Sequence, residues 1–380
     1  MFAYHTSDGY DVLLEVTHEL FDDDLQDLVF IDRPRICAIY TCSSTGEITK
    51  TERLKYFKRP KPALYPINLN EGFDEYIFRP KVELTHLLDT VQKYIFETKE
   101  SVLQPDALNS EKSEGNAKRK LILCIRGALA RIMAIPYRLQ ATKYNDFTIY
   151  ASKYCDILHL TEIGWTDRCT EEDSYHGKFV QTCFSYDPNE DPITDEPFDE
   201  NSVPFGVYQT SLREFDLIYS AEIGGVISDK KIDIQNMEEV NKSRFLMTKL
   251  LRAGNYSEET LNNPKCLIWW LQSYLTDTQD ICFGLINRNG IINHPVRVNT
   301  VNDIRNNRRW EPHICTGFLY SMLTLIEETM ADVDCPYTVF EFQRDSFAGC
   351  IKFRKHTGKT EYSFLSEEYI KHCKERFDKI

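Results

Sequence analysis

The chain has 380 residues, with 59 acidic and 45 basic side chains and a formal net charge of −14. Hydrophobic residues make up 42% and aromatic residues 12%, an ordinary globular composition that excludes a disordered, collagen-like or coiled-coil chain. The acidic balance argues against bulk adhesion to nucleic acid or anionic membranes but leaves room for one local basic pocket.

No apolar run approaches the ~18 residues that a membrane helix requires. The twelve cysteines are scattered singly and form no C-x-x-C pair, which favours reduced, mostly buried thiols. We therefore expect an intracellular protein of the nucleus or cytoplasm with no membrane partner.

The first half of the chain mixes short strands with helices. Apolar runs at residues 28–31 and 35–40 are typical of strands. Helical spacing of apolar residues predicts one helix over residues 81–100 and a second over residues 118–133. Alternation over residues 147–163 predicts a β-hairpin. Predicted strands and helices therefore alternate already in the first half of the chain.

Two polar segments interrupt this pattern. Residues 104–117 contain Pro, Gly and many charges, which is typical of a loop. Residues 187–200 carry seven acidic side chains and no basic one, which is typical of a solvated loop. We predict loops over residues 104–117 and 187–202.

The second half of the chain contains more predicted strands and helices than the first. Residues 215–227 and 231–236 are predicted to be adjacent strands joined by a short turn, and residues 244–252 and 264–275 to be helices. Further elements are strands at 280–286, 291–298, 338–343, 350–354 and 361–364, a helix at 312–330 and a closing helix. The elements interleave without a regular βαβ rhythm and without a clear linker. This order predicts an α+β fold, a single domain over residues 1–380 with mixed sheets.

Common catalytic motifs are missing from the sequence: it has no P-loop, no G-x-G-x-x-G after a strand, no H-E-x-x-H and no G-x-S-x-G. One arrangement has chemical content. If residues 215–227 and 231–236 pair through their turn, Glu222 and Asp233 lie close together. Two converging carboxylates are the minimum for holding a divalent cation against phosphate. Carboxylates on neighbouring strands that face solvent are the alternative.

From about Gly72 to the C-terminus, the sequence resembles the DXO/Rai-type decapping exoribonucleases, which act on RNA 5′ ends. The resemblance rests on the order and spacing of several pieces rather than on one motif. They are GFDEYIFRP, CIRG with the following AIPY, YHGKFVQ, SAEIGG, KIDIQN, WWLQSYL, FGLINRNG and RRWEPHIC. Residues 1–71 are divergent. The resemblance implies two mixed or antiparallel β-sheets flanked by helices, with a central active-site pocket.

The resemblance also implies a two-metal nuclease centre built from four carboxylates. The family's helix motif G-x-x-x-E places a glutamate where this chain has Gln181. Its strand motif E-x-D falls on Glu222 and Gly224, so the aspartate is absent. Its motif E-x-K on the next strand falls on Asp233 and Gln235, which shortens the glutamate and removes the lysine. The carboxylates of the expected pocket therefore fall from four to two.

Two other pocket residues of the family are kept, Arg126 and Gln272. With Gln235, they are the predicted RNA-binding residues. Gln181, Glu222 and Asp233 are the predicted ligands of a weak Mg²⁺ or Mn²⁺ site, if any metal is bound, and Glu222 and Asp233 are the catalytic pair if the chain is active. The chain is similar to Cutoff, a family member that has lost catalytic residues, both in this loss of pocket carboxylates and in residues 334–345.

Three functions follow as hypotheses. The first is RNA 5′-end recognition with weak or lost hydrolysis. The second is an active Mg²⁺- or Mn²⁺-dependent hydrolase of incomplete caps, NAD caps or 5′-triphosphates with 5′-to-3′ exoribonuclease activity. The third is a protein-interaction scaffold. The resemblance implies RNA 5′ ends as partners, together with a 5′-to-3′ exoribonuclease or another nuclear protein.

Overall fold

The computed structural model describes residues 9–21, 28–43, 46–51, 53–79, 86, 88–98, 119–162, 169–252, 264–306 and 310–377. The predicted loop at residues 104–117 lies outside these ranges. The strands are β1 Asp11–Glu15, β2 Arg35–Cys42, β3 Ile48–Lys50, β4 Tyr56–Phe57, β5 Ile67–Asn68, β6 Lys120–Ile125, β7 Phe147–Tyr154, β8 Ile157–Glu162, β9 Phe184–Ser185, β10 Phe205–Leu212, β11 Phe215–Glu222, β12 Gly225–Val226, β13 Phe245–Arg252, β14 Asp280–Ile286, β15 Ile291–Ile292, β16 Arg297–Thr300, β17 Val339–Asp345 and β18 Cys350–His356. The α-helices are α1 Asp89–Glu97, α2 Arg126–Ala134, α3 Glu171–Cys183, α4 Met237–Lys242, α5 Pro264–Tyr274, α6 Val301–Asn306, α7 Pro312–Thr329 and α8 Glu367–Phe377.

Within the described ranges, the strands form two mixed sheets. The first has ten strands in the order β1-β18-β17-β7-β8-β6-β11-β10-β2-β3. The second has the order β5-β15-β14-β13-β12-β4-β9, with β16 also paired to β14. Both sheets contain parallel pairs, such as β6 with β11 and β13 with β14, beside antiparallel ones. These two mixed sheets and their helices confirm the predicted α+β class.

The chain crosses from the first sheet to the second between Glu222 and Gly225. Glu222 is the last residue of β11, which pairs with β10 and β6, whereas Gly225 opens β12, which pairs with β13 and β4. Gly224 lies in this corner, directly against the backbone of Leu246 in β13. The corner therefore connects an interior strand of the first sheet to an interior strand of the second.

Helix α2 packs between the sheets and the helices α5 and α7. It follows β6 without an intervening loop, so that Arg126 is its first residue. Its apolar face is fully buried, since Leu129, Ile132 and Met133 are at most 1% exposed. Burial of this face anchors the N-terminus of α2, and with it Arg126, at the base of the structure between the sheets.

Several predicted elements are confirmed, among them the hairpin β7–β8 and the helices α5 and α7. Residues 187–198 contain no helix or strand, and a single 3₁₀ turn, Glu200–Ser202, follows them. No helix in the part of the chain that the structure describes has the length and apolarity needed to cross a membrane.

Other predicted elements are wrong. Residues 28–31 form no strand, and residues 291–298 are not one strand, because β15 ends at Ile292 and β16 begins at Arg297. Residues 118–133 are not one helix, because β6 occupies their first part. Residues 244–252 form strand β13 rather than a helix, and residues 361–364 form a turn rather than a strand. Residues 231–236 form a turn instead of a strand. The positions beside β12 are taken by β13 and β4, so the predicted pairing of residues 215–227 with residues 231–236 does not exist.

Candidate functional site

A cavity of about 680 Å³ opens among α2, α3, α5 and β13. Two carboxylates line it, and each is paired with a neighbouring cation: Glu162 with Arg131 at 2.5 Å and Glu172 with Arg252 at 2.7 Å. The basic side chains of the lining are Arg131, Arg138, Lys249, Arg252, Lys265 and Arg288. Cations therefore outnumber carboxylates in the cavity of an otherwise acidic chain, which concentrates anions there.

Beside this cavity, charged side chains from both sheets gather around one carboxylate. We term this group the Glu222 cluster: Lys55, Arg79, Arg126, His176, Glu222 and Lys249. Two of its members, His176 and Lys249, also line the cavity, and Gly127 of the lining directly follows Arg126. The cavity and the cluster thus form one continuous site.

Backbone contacts at the corner hold Lys55 close to Glu222. The Lys55 carbonyl accepts a hydrogen bond of 2.7 Å from the Val226 amide, and Tyr56 pairs with Val226 in the sheet. The Lys55 side chain is 4% exposed, and its ammonium lies 5.5 Å from the ring centroid of Phe184. A lysine of this burial is uncommon and calls for an electrostatic partner.

Arg79 approaches Glu222 from the other side of the corner. Its guanidinium lies 4.6 Å from the ring centroid of Phe205, the residue that pairs with Glu222 across β10 and β11. Arg79 also donates hydrogen bonds to Glu200. Glu200 thus fixes Arg79 in place.

Strand β13 supplies the other side of the cluster. The Lys249 ammonium donates a hydrogen bond of 3.1 Å to the Gln272 side-chain oxygen on α5. The neighbouring Thr248 carbonyl accepts a hydrogen bond of 3.1 Å from Nε2 of His176 on α3. Lys249, His176 and Gln272 therefore come from three elements that meet at the cavity wall.

Electrostatics at the site centre on the Glu222 carboxylate, which reaches solvent although protein surrounds it closely. This desolvation acts to raise the pKa of Glu222, but nearby positive charges outweigh it and hold the pKa below its ordinary value. The largest of these contributions comes from Lys55. Smaller ones come from Arg79 and Lys249, and from His176 when its imidazole is protonated. Glu222 is therefore ionised at neutral pH.

Three cations of the cluster, Lys249, Lys55 and Arg126, have pKa values below their ordinary values. Burial and the charge of Arg126 lower the pKa of Lys249 to about 8, although Glu222 opposes this shift. Burial also lowers the pKa of Lys55 and of Arg126, and Glu222 again opposes it. For His176, burial and then Lys249 lower the pKa, which leaves the imidazole neutral at pH 7. Such shifts are typical of functional sites.

Three side chains of the cluster have no direct partner. Within the described ranges, Lys55, Arg126 and Glu222 form no side-chain hydrogen bond and no ion pair within 4.0 Å. Arginine presents five donors in a rigid fork that matches phosphate or carboxylate. Arg126 is half-buried, and its donors are not taken by any acceptor among the described residues, so they are open to an anionic ligand.

The predicted metal ligands other than Glu222 are engaged elsewhere. The Gln181 side-chain oxygen accepts a hydrogen bond of 2.7 Å from Lys178, and its amide nitrogen donates to the Glu196 carbonyl. Asp233 is exposed in its turn and accepts a hydrogen bond of 3.0 Å from the Gln235 amide. The strand pairing that was expected to bring Asp233 and Gln235 beside Glu222 is absent, because β13 takes that position in the sheet.

The missing aspartate has a steric explanation at Gly224. An ideal Cβ there would lie 2.9 Å from the carbonyl carbon of Leu246 and closer still to its oxygen. Real Cβ atoms essentially never approach backbone so closely, so this corner accepts only glycine.

A pair of divalent cations does not fit these residues. Two metal ions need several anionic ligands to remain close together. In the part of the chain that the structure describes, no group of three His, Cys, Asp or Glu side chains could hold a metal ion. In the acidic segment at residues 187–200, Asp191 pairs with Lys61, and the Glu200 carboxylate accepts hydrogen bonds from the Tyr76 hydroxyl and the Arg79 amide.

Sequence reasoning missed Lys55, Arg79, His176 and Lys249. Arg79 and His176 lie within the resemblance pieces GFDEYIFRP and YHGKFVQ but were given no role, whereas Lys249 also matched the spacing of a family motif. The strand that truly follows SAEIGG in the sheet is β13, and there a lysine stands two residues after Met247. The spacing of E-x-K thus falls on Met247 and Lys249, so the lysine is kept and the glutamate is a methionine. Predicting a helix over these residues hid this match.

Comparison with known proteins agrees with the fold. Residues 32–370 match the family described as RAI1 like PD-(D/E)XK nuclease. The chain therefore belongs to this family of decapping exoribonucleases, as the sequence resemblance predicted.

Among its relatives, the decapping and exoribonuclease protein Rai1 of Drosophila melanogaster is 21% identical over 320 residues, which cover 82% of this chain and 84% of that protein. Protein cutoff of Drosophila melanogaster is 28% identical over 108 residues, 28% of each chain. Among solved structures, Candida albicans Rai1 in complex with pU5-Mn²⁺ has a TM-score of 0.67 and 14% identity, covering 99% of this chain and 100% of that one. S. pombe Rai1 in complex with 3′-FADP has a TM-score of 0.65 and 18% identity, covering 89% and 98%.

Proposed function

We propose that this protein recognises the phosphorylated or capped 5′ end of RNA in the cavity beside the Glu222 cluster, with hydrolytic activity weak or lost. The observation that carries the proposal is the Arg126 guanidinium, which is half-buried beside Glu222 and has no acceptor among the described residues. A phosphate oxygen is an acceptor of the required charge and geometry.

The cavity supplies the rest of an anion-binding surface. Lys249 and Arg288 line it, and Lys55 lies just behind it without an ion pair. Because the cavity is concave and partly walled off from solvent, each charge acts through a lower effective dielectric than on a flat surface. An anion bound there would satisfy Arg126 and Lys55 together.

RNA is the anion that family membership favours. The related Candida albicans protein was solved with pU5, an oligonucleotide, and with Mn²⁺. This chain shares the fold, and its basic lining beyond the cluster suits the further phosphates of a nucleic-acid chain. The metal-dependent chemistry lacks support, since one carboxylate faces several cations where a two-metal centre needs several anionic ligands.

Binding to three RNAs of one sequence tests the proposal. Fluorescence anisotropy should show tight binding of the 5′-triphosphate and NAD-capped forms and weaker binding of the 5′-hydroxyl form. Equal affinity for all three would remove the claim of 5′-end recognition.

A pair of arginine variants locates the binding. Arg126→Gln should weaken binding of the 5′-triphosphate RNA by about tenfold or more, because it removes a charge-assisted hydrogen bond. Arg33→Gln is the matched control: it removes the same charge from an exposed ion pair with Asp277, away from the cavity lining. An equal effect of the two substitutions would mean that general charge, rather than this site, binds RNA.

A further inference from the structure

Among the positively charged side chains of the Glu222 cluster, Lys55 differs from the others in its burial and in its interaction with Glu222. Lys55 interacts with Glu222 more strongly than any other charged residue does. It is also the most deeply buried cation of the cluster at 4% exposure, and its ammonium forms no hydrogen bond or ion pair with described residues. A buried ammonium of this kind remains charged only where anionic groups face it.

The backbone fixes Lys55 at the corner where the two sheets meet. Its carbonyl is bonded to Val226, four residues beyond Glu222, and the ring of Phe184 lies against its side chain. A Cβ on Gly225 would lie 2.8 Å from the Lys55 carbonyl oxygen, so the two segments are in close contact. These contacts fix the Lys55 backbone at the corner, and its side chain, only 4% exposed, lies against the Phe184 ring and close to Glu222.

Glu222 and Lys55 attract each other without touching. A direct pair within 4.0 Å is absent, which leaves both charges open to a third group. In a metal-dependent phosphate site, a cation bridges protein carboxylates and phosphate oxygens. Here a cation fixed to the chain faces the one remaining carboxylate.

We propose that the Lys55 ammonium takes the place of a divalent cation at this site, so that the protein binds an RNA 5′-phosphate without any metal ion. This inference rests on the proposed function. Glu222 keeps Lys55 charged in its buried position, while Arg126 and Lys249 contact the same phosphate group. No bond is made or broken, and the ligand class is a phosphorylated RNA 5′ end.

The test begins with the wild-type protein. Its affinity for a 5′-triphosphate RNA and for the matching 5′-hydroxyl RNA is measured by fluorescence anisotropy in EDTA and again with Mn²⁺. We expect the preference for the 5′-triphosphate RNA to be the same in both conditions. Preference that disappears in EDTA and returns with Mn²⁺ would overturn the inference, and this arm needs no substitution that could disturb folding.

Variants of Lys55 then test whether its ammonium is the cation that binds the 5′-phosphate. Lys55→Met should weaken binding of the 5′-triphosphate RNA by about tenfold or more and leave the 5′-hydroxyl RNA unaffected, whereas Lys55→Arg keeps the preference. Lys61→Met is the matched control, since Lys61 is exposed and pairs with Asp191. Thermal melting establishes that each variant is folded. A folded Lys55→Met protein with wild-type affinity would contradict the inference.

The two proposals fail in different ways. If the wild-type protein binds 5′-triphosphate and 5′-hydroxyl RNA equally in every condition, the proposed function itself is wrong. If the preference exists but depends on Mn²⁺, or does not depend on Lys55, the proposed function stands and only the role of Lys55 is wrong.

Discussion

Two glutamates, each surrounded by cations, show how a structural cluster differs from a binding site. Glu341 on β17 accepts hydrogen bonds from Tyr10 at 2.8 Å, Arg354 at 2.9 Å and His356 at 3.0 Å. Glu222 faces at least as many positive groups yet accepts no hydrogen bond from the described residues. A carboxylate that serves stability brings its donors into contact. The separated charges around Glu222 instead leave room for a ligand.

The largest expected difference between the two clusters is in stability. Glu341→Gln should lower the free energy of unfolding by about 2–3 kcal/mol, because it leaves Arg354 and His356 with an uncompensated charge or donor. Glu222→Gln should lower it by only about 1 kcal/mol, since it removes the charge that offsets Lys55 and Arg126 but breaks no hydrogen bond. Urea denaturation of both variants measures this difference. Equal losses would mean that the Glu222 cluster is structural as well.

The corner at Gly224 gives the next largest effect. Gly224→Ala should cost about 1–3 kcal/mol, because the new Cβ overlaps the Leu246 backbone. Gly127→Ala is the control: there the Cβ meets only the end of the Glu162 side chain, which can move. Differential scanning calorimetry compares their melting temperatures.

This result would also bear on restoring a nuclease. Replacing Gly224 by Asp to rebuild the E-x-D motif should destabilise the corner instead of creating a metal ligand. A Gly224→Ala protein as stable as Gly127→Ala would show that the corner has room for an aspartate, and the steric explanation for its loss would be wrong.

The smallest expected effect is a pH dependence of binding. The pKa of Lys249 is about 8, so its ammonium is charged below that pH and neutral above it. Affinity for 5′-triphosphate RNA should therefore fall by about tenfold between pH 7 and pH 9, as one charged contact is lost. Titration of binding by fluorescence anisotropy follows this change.

Lys249→Arg is the matched variant for that titration. Arginine stays protonated throughout this range, so its affinity should change little with pH. Identical pH profiles for the wild-type and Lys249→Arg proteins would show that another group is responsible.

The fold was predictable from the sequence wherever the hydrophobic pattern was unambiguous. The β7–β8 hairpin alternates in polarity, and α7 is long and apolar. The pattern failed at β6 and β13, which lie in parallel pairs and read as continuous apolar runs rather than alternating ones. Such runs do not distinguish a buried strand from a helix.

Alternation also misled at residues 231–236. Ile232 is buried, and its amide donates to the Tyr56 hydroxyl at 2.9 Å, while Asp233 and Gln235 are exposed. The chain achieves this alternation in a turn that Asp233 stabilises by accepting from the Gln235 amide. Polarity alone cannot distinguish such a turn from an edge strand.

The candidate site was predictable only in part. Family resemblance pointed to Glu222, Arg126 and Gln272, and the structure places all three around the same site. Lys55 lies in no motif and His176 only within the quoted piece YHGKFVQ, because their role depends on burial and on neighbours far away in the sequence, such as Glu222 for Lys55 and Lys249 for His176. The charge balance of a site is a property of the folded chain.

Incubation of purified wild-type protein with 5′-labelled RNA and Mn²⁺ tests the central claim most directly. We predict that it releases neither the 5′ end nor nucleotides above the level of the Glu222→Gln variant, although it binds the RNA. Mn²⁺-dependent release that Glu222→Gln abolishes would contradict the account and establish a working nuclease.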